Sequence, residues 1–74
     1  HYLRVSGEPH PGLDRRIESL VRRAGLSVQN RAVRGKGDHV HLGYIVSPGT
    51  ADAVRDVRAA VTRLARVHDV LVLG

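Results

Sequence analysis

The spacing of apolar residues limits the fold of this chain more than any other feature of its sequence. Apolar residues alternate with polar ones in four segments, which predicts strands, and recur every three or four residues in two others, which predicts amphipathic helices. The strands are predicted at residues 2–6, 26–34, 39–47 and 67–73, and the helices at residues 13–24 and 51–64. The predicted order is strand, helix, strand, strand, helix, strand.

This order, with short connections and a hairpin at residues 35–38, favours one closure of the chain. We expect an α+β, ferredoxin-like βαββαβ sandwich, in which one four-stranded antiparallel sheet carries both helices on one face. Leu26, Val28 and Ala32 alternate together on one side of the second strand. We expect Val33 and Ile45 on the sheet face that the helices leave open.

Two signals mark the ends of the helices. Gly25 follows the first helical stripe and can end that helix in a left-handed conformation. Thr50 precedes the second stripe as a candidate N-cap, and Asp52 follows it in the first turn, where a negative charge is favourable.

The composition sets limits on what the chain can be. Its 74 residues predict one domain, residues 1–74, which is small enough that dimerisation would help to bury apolar area. No cysteine is present, so no disulfide framework is expected. No apolar run reaches the length of a membrane span and no signal peptide is visible, so we expect no membrane partner and, by default, a cytoplasmic location.

The connection between the first strand and the first helix holds the candidate binding residues. Proline at a helix entrance gives up an amide that would be unpaired there, and glycine lets a ligand approach the backbone. The free amides of a first helical turn attract anions, including the carboxylate of an amino acid. Taken alone, these residues are more typical of a tight turn with no ligand, because proline and glycine are common in turns. The segment is Glu8, Pro9, His10, Pro11, Gly12 and Leu13.

Three segments together resemble an ACT domain, the small amino-acid-sensing module of metabolic enzymes. They are Tyr2-Leu3-Arg4-Val5, Pro11-Gly12-Leu13 and Ala24-Gly25-Leu26-Ser27-Val28, in that order. The resemblance covers almost the whole chain. Within ACT domains, Gly35-Lys36-Gly37-Asp38, Leu42 and Val46-Ser47 look most like the C-terminal domain of homoserine dehydrogenase.

The resemblance implies a regulatory domain with no catalytic site and no cofactor of its own, and it suggests an NAD(P)-dependent homoserine dehydrogenase as the parent. It implies an amino-acid effector, threonine or serine, bound between the residue 8–13 segment and the second strand of a neighbouring copy. The amides of Gly12 and Leu13 would meet the effector carboxylate, and Ser27 stands where an asparagine often contacts the ligand. It also implies a homodimer joined through edge strands.

One position departs from the pattern of ligand-binding ACT domains. Two residues before Pro11-Gly12, many of them carry Asp or Asn, which can accept a hydrogen bond from the ligand ammonium. Pro9 stands there in this chain and has no polar side chain. An assembly module that binds no ligand is therefore the alternative within the family.

Other classes of function have weaker support. His39 and His41 share one face of a strand, a spacing that can chelate a transition metal, but surface histidines explain it as well and we expect no metal site. The net charge of +5 permits nucleic-acid binding, yet Tyr2 and Tyr44 are the only aromatic residues, so that function is not expected. No serine lies in a nucleophile motif, and no catalytic residue is expected.

Overall fold

The computed structural model describes all residues from 1 to 74 and confirms the predicted βαββαβ order. The sheet order is β2-β3-β1-β4, and each neighbouring pair is antiparallel, so β2 and β4 form the two edges. Neither helix is long and apolar enough to cross a membrane. The elements are β1 (Tyr2–Gly7), α1 (Leu13–Arg23), β2 (Val28–Lys36), β3 (His39–Val46), α2 (Ala51–Thr62) and β4 (Val67–Leu73).

The core lies between the two helices and one face of the sheet. Alternate residues of the central strands β1 and β3 point to this face, as the two-residue period of a strand requires. They pack with the apolar stripes of α1 and α2 in a single buried cluster, which contains no buried polar residue. The other face, which we call the open face, carries the exposed side chains of Tyr2 and Ile45.

The two residues predicted to mark helix ends, Gly25 after α1 and Thr50 before α2, are confirmed in those roles. Gly25 has φ 83°, its amide donates to the Arg22 carbonyl at 2.9 Å, and the Leu26 amide donates to the Val21 carbonyl at 3.1 Å. These bonds form a Schellman motif, which satisfies the last carbonyls of α1. At α2 the Thr50 side chain accepts a hydrogen bond from the Ala53 amide at 3.1 Å.

The second strand begins later than predicted, at Val28 instead of Leu26. The amide of Leu26 closes the end of α1, so it is not available to a strand ladder. Ser27 is held instead by Ser47, whose hydroxyl accepts from the Ser27 amide at 3.0 Å and whose amide donates to the Ser27 carbonyl at 2.9 Å.

A bulge near the start of β2 reverses which side chains face the helices, and it makes one prediction wrong. Val28 pairs with Val46, but Asn30 pairs with Ile45, so the intervening residue is extra. Beyond the bulge, Val33 pairs with the buried Leu42 and therefore lies on the helix side of the sheet, not on the open face. Ala32, predicted to alternate with Val28, instead lies on the open face opposite Gly43. Ile45 lies on the open face as predicted.

Candidate functional site

A β-turn joins the end of β1 to α1. The carbonyl of His10 accepts a hydrogen bond from the Leu13 amide at 3.1 Å, and Gly12 has φ 84° and ψ −2°. Proline at the second position and a left-handed glycine at the third define a type II turn. Pro11 therefore lies inside the turn, two residues before α1, and the expectation that it opens the helix is wrong.

The amides at this turn are available in part. The Leu13 amide donates to the His10 carbonyl, so, contrary to expectation, it is not free to bind a ligand carboxylate. The amides of Gly12, Asp14 and Arg15 make no hydrogen bond within the chain. No side chain caps α1 at Gly12, so these donors remain unpaired at the positive end of the helix dipole.

The turn forms one wall of a groove on the helix side of the sheet. The groove has a volume of about 440 Å³. Its second wall consists of aliphatic side chains from β2 and β3. We call it the turn groove, and its lining residues are Pro9, His10, Pro11, Gly12, Leu13, Asp14, Val33, Val40 and Leu42.

Two of the predicted site residues lie outside the turn groove. Glu8 turns towards β4, where its carboxylate lies 3.8 Å from Nε2 of His68 and its amide donates to the Arg66 carbonyl. Ser27 lies at the opposite end of the sheet, since it precedes Val28 and Val28 pairs with the last residue of β3. The other five predicted residues, from Pro9 to Leu13, line the groove together.

Four charged or polar side chains connect the groove wall to the sheet. The Tyr44 hydroxyl donates to Oδ1 of Asp14 at 2.7 Å, and Arg31 donates to Oδ2 of Asp14 at 2.8 Å and to Glu18 at 2.7 Å. Burial and the nearby Asp14 carboxylate raise the pKa of Tyr44. Hydrogen bonds from Arg22 and Arg31 lower the pKa of Glu18. The pKa of Arg31 is raised by the hydrogen bonds that Arg31 donates to Glu18 and to Asp14. Each Asp14 oxygen therefore accepts one hydrogen bond from a side chain of the sheet.

Sequence reasoning missed the sheet wall of the groove. Val40 and Leu42 are buried in the core, and nothing in the alternation of β3 indicates that they also border a groove. The bulge in β2 has no clear sequence signal, so the alternation predicts the wrong face for Val33. Asp14 offered one signal, because an acidic residue in a first helical turn often interacts with the helix end.

The histidines form no metal cluster. His41 Nδ1 is hydrogen-bonded to Ser6 Oγ at 2.9 Å, and the His39 ring meets the His68 ring edge-on at 5.9 Å between centroids. No three side chains of His, Cys, Asp or Glu lie close enough together to hold a metal ion.

Comparison with solved structures identifies the fold, whereas no protein-family model and no curated protein matches the sequence. The ACT domain of a GTP pyrophosphokinase from Chlorobium tepidum superposes with a TM-score of 0.78 at 13% identity, covering 95% of this chain and 91% of that one. A homoserine dehydrogenase from Thiobacillus denitrificans superposes with a TM-score of 0.84 at 18% identity, covering 95% of this chain and 16% of the enzyme. The C-terminal domain of the MgtC protein from Mycobacterium tuberculosis gives a TM-score of 0.71 at 12% identity, covering 95% of this chain and 80% of that one.

These likenesses agree with the element order, the sheet order and the placement of both helices on one face. They confirm at the level of the fold the resemblance that the sequence motifs indicated. The chain has the fold of an ACT domain.

Proposed function

We propose that this chain is an amino-acid-sensing regulatory domain, with threonine as the candidate effector and an enzyme of the homoserine dehydrogenase type as the parent. The observation that carries the proposal is the turn groove, which combines free backbone amides on one wall with aliphatic side chains on the other. An amino acid presents a carboxylate and a side chain that can occupy these two walls at once.

The carboxylate is assigned to the amides of Gly12 and Asp14, the two residues with unpaired amides that line the groove. These donors are unpaired within the chain and lie at the positive end of α1, which favours a negative charge. The side chain of the effector would then lie against Val33 and Leu42. This wall supports threonine over serine, because threonine adds a methyl group that gains from apolar contact.

The ammonium group carries several N–H donors, and the side chains of one groove offer it few acceptors. Pro9 has none, and each oxygen of Asp14 already accepts one hydrogen bond, from Tyr44 or from Arg31, which leaves one lone pair on each. An unpaired ammonium in a closed pocket would cost several kcal/mol. We therefore propose that the site is completed by a second copy of the chain.

The exposed edge of β2 supports such a dimer. This nine-residue strand ends the sheet and presents unpaired backbone groups to any neighbour. Two β2 strands paired antiparallel about a twofold axis would bring the start of one strand to the end of the other. Ser27 of a second copy would then approach the turn groove, which borders β2 at Val33.

Effector binding would regulate the parent only by favouring one of its conformations. The effector can shift that equilibrium by no more than the difference between its affinities for the two states. A domain that pairs through β2 and binds nothing is the alternative function, and the same edge strand supports it.

The test is a thermal-shift screen of the twenty amino acids, with the oligomeric state measured in the same buffer. Ligand at about 100 times its dissociation constant adds about 2.7 kcal/mol to the stability of the native state. A selective, saturable rise in Tm for threonine is the expected result. A dimer with no shift for any amino acid would leave the assembly module, and a monomer with no shift would remove both functions.

Two matched variants locate the binding site. Val33 and Ile45 are both exposed aliphatic residues on neighbouring strands, but Val33 lines the turn groove and Ile45 lies on the open face. We expect Val33→Glu to abolish the effector shift, because its carboxylate enters the aliphatic wall and repels the effector carboxylate. Ile45→Glu should keep it. Equal loss in both variants would place the effector elsewhere.

A further inference from the structure

The open face of the sheet contains a second depression, on the side away from the turn groove. Its volume is about 460 Å³, and three neighbouring strands contribute to it. We call it the open-face depression, and its lining residues are Tyr2, Arg4, Ala32, Arg34, His41 and Gly43.

The strand register explains why this part of the face is concave. Ala32 pairs with Gly43, and Gly43 pairs with Arg4, so the two smallest residues of the lining, Ala32 and Gly43, lie side by side at its centre. The Tyr2 side chain lies across the bare backbone of Gly43, where a Cβ atom would come within 2.7 Å of the phenol oxygen. Arg34 pairs with His41 and closes the opposite side.

The cationic groups of the depression have no partner in the chain. The ion pairs involve other residues, and neither Arg4 nor Arg34 takes part in one. The hydrogen bond between His41 Nδ1 and Ser6 Oγ fixes the imidazole and leaves Nε2 free. Asp69 of the neighbouring edge strand β4 pairs with Ser6 and is not part of the lining.

We propose that the open-face depression binds a phosphomonoester dianion. Two guanidinium groups from different strands can each donate a pair of parallel hydrogen bonds to phosphate oxygens, a geometry in which arginine is stronger than lysine. The imidazole and the Tyr2 hydroxyl add two further polar groups, and the Tyr2 ring offers an aromatic surface to the organic part of the ligand.

Charge also disfavours a second copy of the chain as the occupant. Face-to-face pairing centred on the depression would bring Arg4 and Arg34 of one copy against the same cations of the other, which is unfavourable without an anion between them. A single-stranded nucleic acid would need more stacking surface than one tyrosine provides. This proposal is independent of amino-acid binding, since the two depressions lie on opposite faces of the sheet.

The test is a ¹H–¹⁵N NMR titration of the chain with AMP, and separately with inorganic phosphate, at constant ionic strength. We expect saturable shifts at the amides of Arg4, Ala32 and Gly43. Replacing both arginines (Arg4→Gln with Arg34→Gln) should weaken AMP binding by about tenfold or more, because charge-assisted hydrogen bonds are lost. Shifts that never saturate would overturn the proposal.

Control variants separate a defined site from general attraction to a basic protein. Arg58→Gln with Arg63→Gln removes the same charge from the region of α2, where neither side chain forms an ion pair. This variant should bind AMP as the wild type does, and an equal loss there would overturn the proposal. Gly43→Val fills the floor and should also abolish binding. An rU8 oligonucleotide that binds where AMP does not would overturn the assignment to a small phosphomonoester.

Discussion

The hydroxyl of Tyr44 donates a 2.7 Å hydrogen bond to Oδ1 of Asp14, which joins the centre of the sheet to the first turn of α1. Tyr44 is 1% exposed as a residue, and Arg31 of β2 donates to the other carboxylate oxygen. Three elements therefore meet at one carboxylate. Because Asp14 also lines the turn groove, this contact fixes the groove wall that carries the unpaired amides of Gly12 and Asp14.

The first prediction concerns this hydrogen bond. Tyr44→Phe keeps the packed ring but leaves Asp14 with one partner, so we expect the free energy of unfolding to fall by about 1–2 kcal/mol. Urea denaturation followed by circular dichroism measures it. Tyr2→Phe is the matched control, because the Tyr2 hydroxyl makes no hydrogen bond within the chain, and it should change stability by less than about 0.5 kcal/mol. Equal losses in both variants would contradict the prediction.

The second prediction is a loss of stability at alkaline pH. Burial and the Asp14 carboxylate raise the pKa of Tyr44 above its ordinary value of 10.0, so the unfolded chain releases this proton before the folded one does. The native state then binds more protons than the unfolded state, and stability falls as pH increases. The contribution of Tyr44 is complete below about pH 10 and is lost progressively above it.

Urea denaturation at a series of pH values from neutral to strongly alkaline tests this prediction. We expect the curve of wild-type stability against pH to fall more steeply above pH 10.0, the ordinary pKa of tyrosine, than the curve for Tyr44→Phe. The comparison cancels the titration of every other group that the two proteins share. Parallel curves would show that Tyr44 ionises alike in both states.

The sequence predicts the fold well because its strongest signals are local and agree with one another. Two helical stripes, a glycine after α1 and a threonine before α2 specify the elements without any knowledge of their neighbours. The face of Val33 depends instead on a bulge, whose extra residue reverses every later side chain of β2. Alternation alone cannot reveal such a shift.

The candidate site is predictable in part for the same reason. The turn carries its own signal, since Pro11 and Gly12 favour a type II conformation in any context. The aliphatic wall of the groove and the engagement of the Leu13 amide arise only when distant segments fold together. The sequence of the turn therefore predicts one wall of the groove, whereas the aliphatic wall depends on tertiary packing.

The third prediction separates strain from ligand contact at Gly12. This residue has φ 84° and Gly25 has φ 83°, and a Cβ atom would meet nothing within 4 Å at either position. Leucine at either position should therefore cost about 1–2 kcal/mol of stability, because a side chain disfavours this conformation. Only Gly12→Leu should lose the effector-induced rise in Tm, since its side chain borders the turn groove.

This comparison rests on the proposed amino-acid site and can contradict it. Binding retained in Gly12→Leu would mean that the effector does not approach the turn. Binding lost in both variants would mean that strain, and not contact, removes it. Chemical denaturation of the two proteins without ligand supplies the stability difference that the comparison needs.

The fourth prediction concerns the contact between β1 and the start of β4. A Cβ atom added at Gly7 would collide with the carbonyl oxygen of Arg66 and lie 3.1 Å from Cα of Val67. The Arg66 carbonyl has little freedom to move, because it accepts a hydrogen bond from the Glu8 amide at 2.9 Å. Both colliding groups are backbone, so relief requires the central strand and the edge strand to separate locally.

We therefore expect Gly7→Ala to lower the free energy of unfolding by about 2–3 kcal/mol, near the upper end of the usual cost of overpacking. Gly35→Ala is the matched control, because Gly35 also lies in a strand but a Cβ atom there would meet nothing within 4 Å. Alanine has less backbone freedom to lose on folding than glycine, so this control should be neutral or slightly stabilising. Urea denaturation of both variants measures the difference. Equal stability in the two would mean that β4 moves away from Gly7 at little cost.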